Sequence, residues 1–378
     1  MPHIETLLAQ SGCVEDPDTG ALVAPIHLST TFIRDADGSY PRGFMYSRDN
    51  NPTRQLFEST LARIEGGVAC AAFSSGMAAA TAIFQALKPG DHVLLPDDVY
   101  HGARFVATEL FETWGLEISQ VDMENLQAVQ EAIRPNTMLV WIETPSNPLL
   151  KITDISAVAK LAHANNAQVV VDGAWTTPLL QLPLDHGADL VLHSVTKYLA
   201  GHSDVLGGAV VTRSASPLFD RLRVVQKAGG AVMDPFSAWL ALRGMRSLAA
   251  RMQVQTKNAN QLANILHDHP RVAQVHYPAL TSHSGHAVAK KQMKQYGGML
   301  SFEVAGTPEE AKQVAHSTRI FKPATSLGGT ESLIEHRASI ETPPTKTPDT
   351  LLRVSVGLEH IEDLLMDLEQ AINKVVDA

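Results

Sequence analysis

The chain has 378 residues, 44% hydrophobic and 19% charged, an ordinary soluble globular composition with length for two or three domains at about 150 residues each. Lys and Arg number 30 and Asp and Glu number 40, so the net charge of −10 argues against nucleic acid or an anionic membrane as the main partner. The only two cysteines, Cys13 and Cys70, exclude a disulfide framework and any CxxC pair, and they favour a reducing, cytoplasmic setting.

The opening segment, MPHIETLLAQSG, has neither the basic start nor the apolar centre of a secretion signal. No window approaches the roughly 20 apolar residues that span a bilayer. Residues 1–50 carry little regular pattern, with Gly, Pro, Asp and Ser recurring through RDADGSYPRGF. They read as an extended arm, and an arm of this length is expected to pack on a neighbouring subunit.

From about residue 51 the texture changes to alternating helices and short apolar runs. NPTRQLFESTLARIEG predicts a helix opened by Asn51 and Pro52 and closed by Gly66. SSGMAAATAIFQALKPG predicts a second, with Ser75 near its start. Strands are expected at 92–96, 137–143, 168–172, 188–193 and 207–212, with helices such as NLQAVQEAIR and ISAVAKLAHANN between them. Runs that are apolar without alternation suit strands buried on both faces. The β/α alternation then implies an α/β domain over 51–235, with a mostly parallel sheet covered by helices.

A second texture follows over 236–378. SAWLALRGMRSLAARMQVQTKNANQLANILHDH reads as one long helical pattern. GGMLSFEV (297–304) and LLRVSVGLE (351–359) read as strands, and IEDLLMDLEQAINKVVDA as a terminal amphipathic helix. This predicts a smaller α+β C-terminal domain.

In open α/β sheets, ligands sit beyond the carboxyl ends of parallel strands. Those ends carry Tyr100, Asn147 and Asp172, then Ser194, Thr196 and Lys197 in HSVTKYLAGHSD (193–204). A buried lysine is costly if charged and useful if its amine forms a Schiff base. Gly76 and Met77, at a helix start, offer backbone N–H groups to a phosphate, and Ser194 and Thr196 offer hydroxyls. Asp172 could pair with a protonated pyridine nitrogen, Tyr100 could stack on that ring, and Asn147 could bond its hydroxyl. A phosphate, an aldehyde, a pyridine and a phenolic oxygen together describe pyridoxal 5′-phosphate. Taken singly, each residue also has a plain structural reading: a cap, a turn or a core side chain.

The order of the whole set resembles the Cys/Met metabolism family of pyridoxal-phosphate enzymes, the trans-sulfuration enzymes of the cystathionine γ-synthase and γ-lyase type. The motifs that carry the resemblance span nearly the whole chain: YSRDNNPTR, SSGMAA, ETPSNP, VVVDGAWTT, HSVTKYLAGHSD, YGGMLSFE, SLGGTESLIEH and LLRVSVGLE. It implies pyridoxal-phosphate fold type I, built as a homotetramer of two tight dimers with shared active sites. It implies that Lys197 holds the cofactor and shuttles protons, that Asp172 partners the pyridinium, and that Tyr100 stacks on the ring. Gly76, Met77, Ser194 and Thr196 would hold the phosphate. Tyr46 and Arg48 would reach the phosphate of an adjacent subunit. Arg353 would bind the substrate α-carboxylate, with Ser326 and Asn147 nearby and Glu331 as a further substrate contact.

The departures bear on which reaction is run. Many members read VDNT where this chain has VDGAW (171–175). An acidic residue often precedes YSR, and here it is Met45. Methionine γ-lyases carry a cysteine beside the tyrosine, and here His101 and Gly102 follow it. EHRAS (335–339) replaces the common HPAS form and adds Arg337. The expected activity is γ-replacement or γ-elimination on a small homoserine-derived amino acid. The alternatives are a cystathionine β-lyase, an O-acylhomoserine sulfhydrylase, a methionine γ-lyase, a non-catalytic cofactor-binding homologue, or an aminotransferase on the same fold. HSGH (283–286) and HDH (267–269) lack a Cys or carboxylate at ligand spacing, so no metal is expected.

Overall fold

A computed structural model describes residues 2–341 and 346–376. Two sheets organise them. The first has seven strands: β1 (Ala69–Phe73), β2 (His92–Pro96), β3 (Glu117–Val121), β4 (Thr137–Glu143), β5 (Gln168–Asp172), β6 (Leu190–Ser194) and β7 (Gly208–Thr212). Their spatial order is β1-β7-β6-β5-β4-β2-β3. All pairs are parallel except those of β7, which runs antiparallel to both β1 and β6. The central strands are buried along their length, as their unbroken apolar runs require. The second sheet has five: β8 (Val272–His276), β9 (Met299–Val304), β10 (Lys322–Pro323), β11 (Leu333–His336) and β12 (Leu351–Ser355). Its order is β10-β11-β12-β9-β8, antiparallel but for β10 on β11.

Helices follow the punctuation of the sequence. α1 is Ile4–Ala9 and α2 is Pro52–Glu65. In α2 the Asn51 side chain accepts from the Thr53 and Arg54 N–H groups, Pro52 takes the first turn, and Gly66 closes the helix in the left-handed region. α3 (Gly76–Gln85) is capped by Ser75. α4 (His101–Phe105) continues as a π-helical turn over Val106–Phe111. α5 (Leu126–Ala132), α6 (Ile155–Ala164), α7 (Thr177–Leu180) and α8 (Pro217–Gly229) complete the cover of the first sheet. α9 (Pro235–Met245) packs on α2, and α10 (Leu248–His267) spans towards the second sheet. α11 (His286–Gln292), α12 (Pro308–Ser317) and α13 (Ile361–Val376) follow, with α12 opened by a Thr307/Glu310 capping box.

Three local expectations change. The first 50 residues are not wholly irregular: α1 buries Leu8 and packs on α2 and α10. The long helical pattern after 235 is two helices. Gly244 sits so close to Ala200 that a Cβ would lie 2.1 Å from that carbonyl oxygen, and the chain turns at Arg246–Ser247. β1 and β3 are strands that the sequence pattern does not predict. ACAAF is too small in side chain to read as a strand, and EISQV is a half-exposed edge without a run of apolar residues.

The reversed strand β7 brings its first residues, rather than its last, to the ligand edge. A Cβ on Gly208 would fall 2.2 Å from the Ser75 carbonyl oxygen, so glycine is what lets α3 begin against the sheet. Gly208→Ala is expected to destabilise the chain by about 2–3 kcal/mol through overpacking. Gly229→Ala, where nothing lies within 4 Å, should be neutral or stabilising by up to about 1 kcal/mol. Urea denaturation midpoints measure both.

Candidate active site

β4, β5 and β6 end side by side, and each ends on a polar residue. Glu143 and Asp172 are register partners across β4 and β5, and Asp172 lies opposite Leu192 of β6. Ser194 closes β6, and Lys197 follows in the next turn, its N–H bonded to the Ser194 carbonyl at 3.1 Å. Here a cavity of about 240 Å³ opens. Its lining brings together Lys197, Tyr100, Asp172, Gly76, Met77, Asn147, Ser194, Thr196, Ser326 and Arg353. These come from both sheets and from residues as far apart in sequence as Gly76 and Arg353.

Lys197 Nζ donates to Ser326 Oγ at 2.8 Å. Burial first, and then the Arg353 guanidinium, lower its pKa to about 8 against the pull of Glu335 and Asp172. Ser326 has φ +86°, a conformation that costs a non-glycine residue about 1–2 kcal/mol. In it the Ser326 hydroxyl meets Lys197 while its carbonyl accepts from Arg353 Nη2 at 3.0 Å. Arg353, on β12, also donates from Nη1 to Asn147 Oδ1 at 3.1 Å and is ion-paired through Nη2 with Glu335 Oε2 at 2.6 Å. Burial lowers the Arg353 pKa to about 10, with Arg337 as the next cause.

Asp172 accepts from the Ala174 N–H at 2.9 Å and forms no ion pair among the described residues. Burial raises its pKa to about 6. Glu143, 5% exposed, accepts from the Tyr100 N–H at 2.7 Å; burial and the charge of Asp172 push its carboxyl well up. Tyr100 stands at the start of α4, its ring edge-on to His101 at 4.6 Å between centroids. A Cβ on Gly102 would lie 2.6 Å from Tyr100 Cε1, so a side chain there would displace the ring. Thr196 Oγ1 accepts from the Gly207 N–H at 3.0 Å and donates back to its carbonyl at 3.2 Å. Trp175 lines the cavity, whereas Gly173 faces away from it, against His193 and Val191.

Three predicted residues lie outside this lining. Glu331 accepts from the Ser203 hydroxyl and, at 3.2 Å, from Thr330. Tyr46 is 43% exposed with the Arg48 guanidinium 5.6 Å from its ring centre, and Arg48 donates to the Lys227 carbonyl at 2.9 Å. Glu143 and the buried His193–Glu65 pair were not singled out from the sequence. For Glu143 the signal was present: a carboxylate ending the apolar run TMLVWIE, where Asp172 ends QVVVD. Among the histidines of HSGH and HDH, His286 meets the Pro278 carbonyl, and His283 and His269 accept from the Gly285 and Arg271 N–H groups. Among the described residues no three His, Cys, Asp or Glu side chains gather as a metal site, and no helix is long and apolar enough to cross a membrane.

The raised pKa of Asp172 has a stability consequence. Below its unfolded value of 3.8 the carboxyl is protonated in both the folded and unfolded chain and contributes nothing. Between that value and about 6 the unfolded chain ionises first, so folding loses stability; above about 6 the full cost is present. With partial solvent access the cost is about 1–2 kcal/mol. In the ligand-free chain Asp172→Asn should therefore melt higher than wild type at pH 7.5, and the difference should vanish near pH 4.

The Cys/Met metabolism PLP-dependent enzyme family matches residues 5–373. The cystathionine γ-synthase of Mycobacterium bovis is 46% identical over 97% of this chain and 96% of its own length. The cystathionine γ-lyase of Dictyostelium discoideum is 44% identical over 98% of each. The crystal structure of cystathionine γ-synthase from Xanthomonas oryzae pv. oryzae, in complex with aminoacrylate and cysteine, superposes with a TM-score of 0.96 at 40% identity, covering 100% of this chain and 99% of that one. By sequence and by fold, this chain belongs to the Cys/Met metabolism family of PLP-dependent enzymes.

Proposed function

We propose that the chain is a pyridoxal 5′-phosphate-dependent trans-sulfuration enzyme that makes or breaks a C–S bond at the γ-carbon of a homoserine-derived amino acid. The observation that carries this reading is the convergence of Lys197, Asp172 and Arg353 on one cavity. The donor set suits the cofactor. Asp172 is a buried acid without an ion pair among the described residues, matched to a pyridinium nitrogen. The first N–H groups of α3, at Gly76 and Met77, with the Ser194 and Thr196 hydroxyls, suit a phosphate. A Cβ on Gly76 would come within 2.9 Å of Ser194 Oγ, so bare backbone keeps that cradle open. Tyr100 would stack on the ring, and Asn147, whose Oδ1 serves Arg353, keeps an NH₂ for the ring oxygen. When bound, the cofactor supplies the electron sink for charge developed as protons leave the substrate.

The rest is work for this chain's own side chains. Arg353 holds the α-carboxylate and so aims the Cα–H bond at Lys197. Lys197 Nζ, steadied by Ser326 Oγ, accepts that proton and must be neutral to do so. Tyr100 exchanges a proton with the substrate amine. We assign Glu331, held by Ser203 and Thr330, to the distal end of the substrate. Glu331, and the absence of a cysteine beside Tyr100, favour the γ-synthase and γ-lyase side over methionine γ-lyase.

We further read the chain as a homotetramer working in the cytoplasm. Leu22, Leu28 and Ile33 of the arm are 65%, 69% and 86% exposed, which suits a surface covered by a second copy. Tyr46 and Arg48 lie outside their own cavity, which suits service in a neighbour's.

Incubation with O-succinylhomoserine or O-acetylhomoserine plus cysteine should yield cystathionine, or cystathionine alone should yield 2-oxobutanoate. Pyruvate from cystathionine would move the assignment to a β-lyase, and turnover of methionine alone to a methionine γ-lyase. Lys197→Ala should lower turnover by about 10³-fold or more. Because only the neutral amine attacks an aldehyde, the rate of cofactor uptake by the cofactor-free chain should climb about tenfold per pH unit and level off above about 8, followed by the visible absorbance band.

A further inference from the structure

Arg337, which replaces the proline of the common motif, is among the largest fully buried side chains of the molecule, and it lines the cavity. Three contacts fix it. Nε and Nη2 donate to Glu341 Oε1 at 3.2 and 2.9 Å, Nη2 also approaches His101 Nδ1 at 3.2 Å, and Nη1 donates to Glu335 Oε2 at 2.9 Å. That same Glu335 oxygen is the one bound by Arg353 Nη2 at 2.6 Å. Glu335 and Arg353 face each other across β11 and β12, so the backbone holds the pair in place.

Arg353 Nη2 thus donates to the Ser326 carbonyl and is ion-paired with Glu335. An arriving carboxylate meets a guanidinium whose charge is already shared with Glu335, and it competes with that carboxylate for it. The carbonyl is fixed by the backbone, whereas the Glu335 carboxylate already has a second cation to hold it. We propose that Arg337 is a positioning residue that retains Glu335 when a substrate carboxylate takes its place on Arg353. This rests on the reading of Arg353 as the carboxylate-binding residue, and it names the group that makes Arg353 available. Without Arg337, the one cation ion-paired with Glu335 among the described residues is Arg353, and Glu335 competes with every incoming carboxylate. Removing one partner of a charged hydrogen bond at that point is worth about 10- to 100-fold in affinity.

The test is a double-mutant cycle on the cofactor-loaded enzyme. Calorimetry measures the binding of butanoate, which has the carboxylate and no amine, and steady-state kinetics follow the amino-acid substrate. Arg337→Gln should weaken butanoate binding and raise KM by about 10- to 100-fold, with kcat changing far less. In a Glu335→Gln background the same substitution should cost no more than about 3-fold, because the competing charge is gone. Arg337→Lys should recover part of the loss. A direct action of the Arg337 charge on the substrate, or a purely structural role, would persist in the Glu335→Gln background and would overturn the proposal. Glu335→Gln alone should bind butanoate several-fold more tightly than wild type; unchanged or weaker binding would overturn it even if Arg337→Gln does not fold. Butanoate binding unaffected by Arg353→Lys would instead reject the role given to Arg353.

Discussion

An acid and an amine are partly withdrawn from water beyond the ends of neighbouring strands, and the rest of the site answers to that. Asp172 ends β5 and Lys197 follows the neighbouring β6, which brings both to one cavity. Burial then moves both towards neutrality, the carboxyl upward and the ammonium downward. Neither is comfortable in the ligand-free chain. Each gains from a group that brings the missing charge or consumes the free amine, so the site stores part of its binding energy as desolvation already incurred on folding.

The second sheet supplies what the first lacks. β12 delivers Arg353 and the loop before β11 delivers Ser326, and both reach across to residues that follow β4 and β6. Glu335, opposite Arg353 on β11, keeps the guanidinium from being a lone buried cation, which would be strongly destabilising. The cost is competition for the same guanidinium, and Arg337 is the counterweight.

Much of this was legible in the sequence where one residue type has one reason to be there. Asn51-Pro52 and Gly66 marked a helix because capping and left-handed backbone are local matters. The five central strand runs were visible because burial on both faces leaves no polar alternation. β1 and β3 were hidden because an alanine-rich strand and a half-exposed edge strand carry little side-chain signal of their own; their neighbours make them strands. The site residues from the first sheet stood at strand ends and could be found by position. Arg353 and Ser326 could be found only by resemblance, since a strand interior and a loop announce nothing. Glu143 ends its strand as Asp172 does, but a strand-end carboxylate is as well explained by a turn or a cap. The partners of Arg337 depend on a cross-strand register and a contact 236 residues away, which no local pattern encodes.

Ser326 touches both halves of the chemistry through one strained peptide unit. Its carbonyl is tied to the guanidinium and its hydroxyl to the amine. The guanidinium that meets one end of the substrate and the amine that meets its Cα are therefore registered to each other through a single residue. A glycine there would fold more easily but would cut the linkage.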